Sequence, residues 1–299
     1  MGGFDMSKLK GSIVAVVTPM TEEGAVDYEA LKGLVDWHIA EGTNGIVAVG
    51  TTGESPTLDG AEWEGVVGTC ITHAKGRVPV IAGTGTNSTA ATVAKTKRAL
   101  ELGADAALIV TPYYNKPTQE GLYQHYTTVA KAVPQLPIIL YNVPGRTGCD
   151  MLPETVERLS KVGSIIATKE AAGKIERFAD IRKRCGPDFV VYSGEDGLAC
   201  ESIKQGGDGV ISVTANVAPG LFSRMCKAGL AKDFTEAERL DSFLTPLHKA
   251  LFCEPNPTPS KFLLKEMGKI KGGIRLPLLP LTSANEGLLR EALKTSQQA

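Results

Sequence analysis

Eight short apolar runs recur along the first three quarters of the chain, and each is followed by a longer stretch with helical periodicity. The spacing between runs is about 20 to 35 residues, the size of one βα unit. The runs begin at Ser12, Gly45, Val78, Asp105, Pro137, Ser164, Phe189 and Asp208. This pattern predicts eight strands that alternate strictly with helices.

The stretches between the runs are amphipathic, and glycine or proline stops them, as is common at helix ends. Examples are YEALKGLVDWHIAEG and TAATVAKTKRALELG. Near-continuous apolar strands that alternate with helices indicate a parallel sheet, and eight βα units are the number that closes a barrel. We therefore predict an α/β fold, a (β/α)8 TIM barrel, with an open doubly wound sheet as the alternative.

The strand pattern ends after about residue 217. Beyond it the sequence predicts helices interrupted by the segments EPNPTPSK and GGIRLPLLPLTS, because proline and glycine break regular structure. We assign residues 8–225 to a catalytic barrel and residues 226–299 to a C-terminal helical extension.

Charge and composition favour a small-molecule partner. The 299 residues include 32 basic and 33 acidic side chains, a net charge of −1, so we expect neither nucleic acid nor an anionic membrane surface as a partner. The first residues, MGGFDMSKLKG, contain no apolar signal segment. Nor does any apolar run approach the roughly 20 residues that span a bilayer. The resulting expectation is a cytoplasmic protein.

The metal-binding residue types show no ligand pattern. The six cysteines contain no C-x-x-C pair, and the four histidines lack the spacing of zinc ligands. The sequence GTGTN, which follows the third run, has only two glycines of a dinucleotide motif. We expect reduced thiols, no metal and no other cofactor.

Lys169 directly follows the apolar run SIIAT. Catalytic groups of (β/α)8 barrels lie at the C-terminal ends of strands, so this side chain is predicted to point into the barrel mouth. Burial disfavours a charged ammonium, and a neutral amine is the nucleophile that forms a Schiff base with a keto acid. A buried ion pair with Glu170 is the structural alternative.

Other strand ends carry hydroxyl and guanidinium groups. Thr51 and Thr52, in GTTGES, offer hydroxyls and nearby backbone N–H groups to a carboxylate. Tyr114 and Tyr141 offer phenols for a proton relay, and Arg146 has a fork suited to a carboxylate. Taken singly, each also fits a polar loop, a rim aromatic or a solvated arginine.

Taken together, the motifs GTTGES, TPYYN, YNVPGRTG, KEA and GVISVTAN resemble those of one family over nearly the whole chain. It is the family of pyruvate-dependent class I aldolases and lyases of the dihydrodipicolinate synthase and N-acetylneuraminate lyase type, and the motif set is similar to the synthase branch. The resemblance implies condensation of pyruvate with L-aspartate 4-semialdehyde and cyclisation to 4-hydroxy-tetrahydrodipicolinate, the first committed step of lysine and diaminopimelate biosynthesis. A lyase or aldolase for N-acetylneuraminate or keto-deoxy sugar acids, and a non-catalytic barrel, are the alternatives.

The resemblance also implies catalytic roles and an assembly. Lys169 would form the Schiff base with pyruvate, and Tyr141 would transfer protons. Thr51 and Tyr114 would complete the relay, with Tyr114 entering the neighbouring subunit's site across a dimer interface. A homotetramer, a dimer of dimers, is the implied assembly.

Substrate-binding roles follow from the same resemblance. Thr52 and the backbone at Ile211 would hold pyruvate, and Gly194 would line the pocket. Arg146 would bind the carboxylate of L-aspartate semialdehyde, which favours the synthase over the sugar lyases.

One departure concerns regulation by lysine. Family members that lysine inhibits often carry a glutamate where this chain has Ala91, while Ser55, Asn87 and Tyr113 remain. Gly60 and Trp63 depart from a common histidine pattern. The sequence therefore lacks a carboxylate partner for the ammonium of this effector.

Overall fold

A computed structural model describes residues 9–299. The start of the N-terminal sequence, from which the absence of a signal segment was predicted, lies outside the described residues. So does Lys8, the first residue of the predicted catalytic barrel.

Eight parallel strands pair in chain order, and the first pairs with the last to close a barrel. The strands are β1 (Gly11–Ala15), β2 (Gly45–Ala48), β3 (Val80–Gly83), β4 (Ala106–Val110), β5 (Ile138–Asn142), β6 (Ile165–Glu170), β7 (Val190–Ser193) and β8 (Gly209–Ser212). Each predicted apolar run overlaps one of them. The predicted (β/α)8 barrel is confirmed, and the open doubly wound sheet was wrong.

Helices follow every strand. They are α1 (Tyr28–Ala40), α2 (Gly60–Ala74), α3 (Thr89–Leu102), α4 (Gln119–Ala132), α5 (Pro144–Thr147), α6 (Pro153–Ser160), α7 (Glu176–Cys185), α8 (Ala199–Lys204), α9 (Pro219–Leu230), α10 (Phe234–Ala250), α11 (Thr258–Glu266) and α12 (Ser283–Ser296). Side-chain caps begin several of them. Asp59, for example, accepts from the backbone of Glu62 while the Glu62 side chain accepts from Asp59, a capping box that starts α2.

Both faces of the strands are buried because side chains alternate along a strand. One set of alternate positions fills the barrel interior, and includes Ile13, Val47, Ile81, Leu108, Ile139 and Ile211. The other set packs against the helices, which contribute Leu31, Val66, Tyr126, Phe178 and Phe222. The barrel is therefore solid below its mouth, and only the C-terminal ends of the strands are open to a ligand.

The C-terminal part is helical, as predicted, and the described residues after β8 contain no further strand of the sheet. Helix α10 packs against α9 and α12. The boundary placed between residues 225 and 226 falls inside α9, and the division of the chain into two domains stays a prediction. Within residues 9–299, no helix has both the length and the apolar character required to cross a membrane.

Candidate active site

A cavity of about 580 Å³ opens at the C-terminal end of the barrel. Its wall contains most of the residues singled out from the sequence, namely Thr51, Thr52, Tyr141, Arg146, Lys169 and Gly194. They come from the ends of β2, β5, β6 and β7, which the closed sheet brings to one edge. Parallel closure thus gathers side chains that are far apart in the sequence.

Lys169 lies inside β6 rather than after it, because the strand runs to Glu170. The side chain points into the barrel and is 5% exposed. Tyr141 is its neighbour across the β5–β6 pair, and the Lys169 Nζ lies 4.3 Å from the centroid of the Tyr141 ring. Among the described residues Lys169 forms no ion pair, so the alternative of a pair with Glu170 is wrong.

Glu170 points to the opposite face of the strand and is held there by neutral and charged donors. The side chain of Asn142 donates to its two oxygens at 3.1 and 3.2 Å, and the Arg177 guanidinium lies 3.5 Å away. Arg177 also binds both oxygens of Asp150. Since Asn142 follows Tyr141 and Glu170 follows Lys169, this buried network fixes the two strand ends that carry the phenol and the amine.

The Glu170 carboxyl makes stability depend on pH. Burial raises its pKa to about 7, against the opposing charge of Arg177. The folded chain then holds this proton more tightly than the unfolded chain, so folding stability falls as pH rises from the ordinary carboxyl pKa towards 7. In Glu170→Gln the folding stability is expected to lose this dependence on pH. Between pH 5 and pH 8, the free energy of unfolding of the variant should therefore rise by up to about 3 kcal/mol relative to that of the parent.

Thermal unfolding midpoints at several pH values measure this difference. Glu176→Gln, on the exposed start of α7, is the matched control and should follow the parent at every pH. If the unfolding midpoints of Glu170→Gln and of the parent changed with pH in parallel, the raised pKa of Glu170 would not be the cause of the pH dependence.

Gly194 makes room for the lysine. A Cβ at this position would lie 2.8 Å from Lys169 Cε and 2.8 Å from the Ala171 Cβ, closer than van der Waals contact allows. Glycine at the end of β7 therefore lets the aliphatic part of Lys169 pass along the cavity wall.

Gly194→Ala is expected to displace the Lys169 amine and to lower kcat/KM by about 100-fold, because a misplacement near 1 Å has an effect of that size. Steady-state kinetics with pyruvate would measure it. Gly163→Ala, where a Cβ meets no atom within 4 Å, is the control. Unchanged kinetics for Gly194→Ala would show that the lysine tolerates the added methyl group.

Thr51 and Thr52 lie in a tight turn between Gly50 and Glu54. The backbone N–H of Gly53 donates to the Gly50 carbonyl at 3.1 Å, and that of Glu54 donates to the Thr51 carbonyl at 3.1 Å. Both threonines reach the cavity wall. The turn thus presents two hydroxyls to a ligand.

Arg146 lies in the short helix α5 at the rim of the cavity. Its side chain is exposed, and among the described residues it has no carboxylate partner, unlike Arg177 and Arg275. The guanidinium is therefore available to a ligand.

Two predicted site residues lie outside the cavity wall. Tyr114 is 89% exposed, with its backbone in the left-handed region at φ 73°, and it does not line the described cavity of its own chain. Ile211 is fully buried in β8, in the layer of side chains below the cavity.

Several residues of the cavity wall were missed by sequence reasoning. Asp196 is buried, and its Oδ2 accepts from the backbones of Val213 and Thr214, which ties the end of β7 to the end of β8. The segment after α10 covers one side of the cavity through Phe252, Pro255 and Asn256. Asp196 lies in the sequence SGEDG, and Pro255 and Asn256 lie in EPNPTPSK, but neither sequence indicates a contact with the end of another strand.

A second cavity of about 410 Å³ adjoins the first and shares Tyr141 and Arg146 with it. Ser55, Tyr113 and the half-buried Lys95 line this space, and its described wall contains no carboxylate. Burial lowers the pKa of the Lys95 ammonium. The described wall of this second cavity thus offers a cation, and no anion, to a ligand. That lysine lacks a carboxylate partner in this chain stays a prediction.

The fold and the site together define a (β/α)8 barrel protein with a buried lysine and an exposed arginine at its mouth, neither of which has an ion-pair partner within residues 9–299. Residues 8–296 match the dihydrodipicolinate synthetase family. The chain belongs to this family, which confirms the resemblance seen in its motifs.

The relatives and the solved structures agree with this assignment. The chain is 56% identical over 286 residues to the 4-hydroxy-tetrahydrodipicolinate synthase of Alcanivorax borkumensis, covering 96% of this chain and 97% of the relative. It is 56% identical to that of Pseudomonas aeruginosa, with 96% and 98% covered. Dihydrodipicolinate synthase of Acinetobacter baumannii, chloride inhibited and complexed with pyruvate, superposes with a TM-score of 0.95 at 52% identity, with 96% and 99% covered.

One neighbour bears on assembly. A monomeric dihydrodipicolinate synthase variant superposes with a TM-score of 0.95 at 41% identity, with 99% of this chain and all of that chain covered. The fold therefore occurs in a monomeric protein of the family.

Proposed function

We propose that this chain condenses pyruvate with L-aspartate 4-semialdehyde to give 4-hydroxy-tetrahydrodipicolinate. The observation that carries the proposal is the Lys169 amine, which is buried in the barrel mouth against Tyr141 and has no ion-pair partner among the described residues. The chain is 56% identical to the 4-hydroxy-tetrahydrodipicolinate synthase of Alcanivorax borkumensis. The cytoplasmic location expected from the sequence is kept as part of the proposal.

The proposed reaction begins when the Lys169 amine attacks the keto carbon of pyruvate and water leaves, which forms an imine. The protonated imine withdraws electrons, so the methyl group loses a proton and an enamine forms. Tyr141 and Thr51, both on the cavity wall, are the groups that would move these protons. Thr52 would hold the pyruvate carboxylate.

Carbon–carbon bond formation follows when the enamine carbon attacks the aldehyde carbon of the second substrate, whose oxygen takes up a proton. The carboxylate of this substrate would lie against the Arg146 guanidinium at the rim. Its amine then attacks the former keto carbon and expels the Lys169 amine, which closes the ring and restores the enzyme.

The experiment that tests this function offers L-aspartate 4-semialdehyde, N-acetylmannosamine and glyceraldehyde as parallel acceptors while pyruvate consumption is followed. Turnover with the semialdehyde alone is the expected result. Preference for a sugar aldehyde would instead favour another lyase of the family, and an absence of turnover with all three would favour a non-catalytic barrel.

We also propose that the working enzyme is a homotetramer, a dimer of dimers, in which Tyr114 serves the neighbouring subunit. The support is its 89% exposure and its position outside the cavity of its own chain. In a two-fold dimer each subunit gives and receives the same contact.

Mixing Lys169→Ala and Tyr114→Phe chains under subunit exchange tests this arrangement. If Tyr114 acts across the interface, half of the dimers are mixed and each has one intact site, so the activity should reach about one quarter of the parent value. Neither variant alone should approach it. If Tyr114 acted within its own chain, mixing would restore nothing.

A further inference from the structure

A buried ion pair lies beneath the turn that carries the two threonines. The Glu54 carboxylate, at the end of the turn, contacts the Lys261 ammonium of α11, and both side chains are 2% exposed. Lys261 also donates to the Gly273 carbonyl at 2.8 Å, and Glu54 accepts from the backbone N–H of Arg275 at 3.2 Å. The C-terminal extension therefore contacts the turn through both an ion pair and a backbone hydrogen bond.

The backbone of the turn is held in an unfavourable conformation. Val49 and Glu54, which flank it, have φ values of 50° and 56°, in the left-handed region that a β-branched residue such as valine rarely adopts. On its other side the turn is packed against β3, where a Cβ on Gly83 would lie 2.3 Å from the Val49 carbonyl oxygen. Such a conformation persists only when surrounding contacts impose it.

A third contact from the C-terminal extension reaches Thr52 itself. Asn256, in the segment before α11, donates through Nδ2 to Thr52 Oγ1 at 3.1 Å. Glu54 and Lys261 do not form part of the cavity wall, whereas Thr51, Thr52 and Asn256 do. Any effect of the ion pair on a ligand must therefore pass through the turn or through the segment that carries Asn256.

We propose that Glu54 and Lys261 are positioning residues, which hold the turn from Gly50 to Glu54 in the conformation that presents Thr52 to the carboxylate of the keto acid. This inference rests on the proposed function. It gives the C-terminal extension a role in substrate binding: α11 sets the shape of a turn that follows β2.

The test compares Lys261→Met with Lys265→Met, an exposed lysine one turn further along α11. Lys261→Met is expected to raise KM for pyruvate by at least about 10-fold, the size of one lost hydrogen bond to a charged group, with kcat at saturation changed by less than about 3-fold. Lys265→Met should match the parent in both. Lys261→Arg should recover part of the loss, because it restores the cation.

Borohydride trapping at saturating pyruvate separates positioning from mere support of folding. A positioning role leaves the amount of trapped pyruvate per chain unchanged, while a purely structural role lowers the trapped amount and kcat together and leaves KM unchanged. The second result would overturn the proposal. If Lys261→Met does not fold, Glu54→Gln carries the same expectation, since the amide keeps the shape but removes the charge.

The parent protein distinguishes this inference from the function on which it rests. If the parent forms no borohydride-stable adduct with pyruvate, the proposed function itself fails. If the parent does so and the Glu54 and Lys261 variants keep its KM, only the positioning role is overturned.

Discussion

Lys169→Ala is expected to lower turnover by roughly 10⁴-fold or more and to abolish the borohydride-stable adduct with pyruvate, because the described wall of the cavity contains no other primary amine. The fold should survive the change. Among the described residues Lys169 has no ion-pair partner, so its removal leaves no buried charge without a partner. Mass spectrometry of the reduced protein, together with the rate of pyruvate consumption, measures both effects.

Two variants control for this result. Lys169→Arg retains a cation at the barrel mouth but cannot form the imine, and it should be as inactive as the alanine variant. Lys174→Ala, an exposed lysine soon after β6, should keep full activity and the adduct. A pyruvate adduct that persists on another residue in Lys169→Ala would overturn the role of this lysine.

Arg146→Ala is expected to lower kcat/KM for L-aspartate semialdehyde by about 100-fold, which corresponds to the loss of one charge-assisted contact to a carboxylate. The guanidinium lies at the rim, on α5, and has no carboxylate partner among the described residues, so the change should leave the barrel intact. Formation of the pyruvate adduct should keep its rate to within about 3-fold, because Arg146 is assigned to the second substrate.

Stopped-flow measurement of the adduct, beside steady-state kinetics with the aldehyde, separates the two substrates. Arg224→Ala, on the exposed face of α9, should behave as the parent in both assays. Equal losses in adduct formation and in aldehyde turnover would contradict the assignment of Arg146 to the aldehyde.

The barrel could be predicted from the sequence because its strands are buried on both faces and its helices on one. Apolar runs and amphipathic stretches then alternate, and the alternation is visible without any knowledge of contacts. The end of β6 was placed too early, because Lys169 and Glu170 are charged residues inside a strand. A buried amine and a buried carboxyl depart from the apolar pattern by which strands are recognised. Here the departure falls on the residue to which the chemistry is assigned.

The positions of most candidate site residues were also predictable, since parallel strands present their C-terminal ends at one edge. Tyr114 shows the limit of this rule, because it follows a strand of the barrel and yet lies exposed, outside the wall of its own chain's cavity. Asn256 and Lys261 show a second limit. Their partners lie some 200 residues away, and neither periodicity nor a local motif encodes contacts of such separation.

The hydrogen bond between Asn256 and Thr52 joins residues that are 204 positions apart. The ribosome synthesises the chain from its N-terminus. All eight barrel strands therefore emerge before Asn256, whose side chain binds the turn after β2. Contacts between distant parts of a chain also form late because closing long loops is slow. A nascent barrel should therefore complete its sheet first and acquire a mouth able to hold a keto acid only at the end of synthesis.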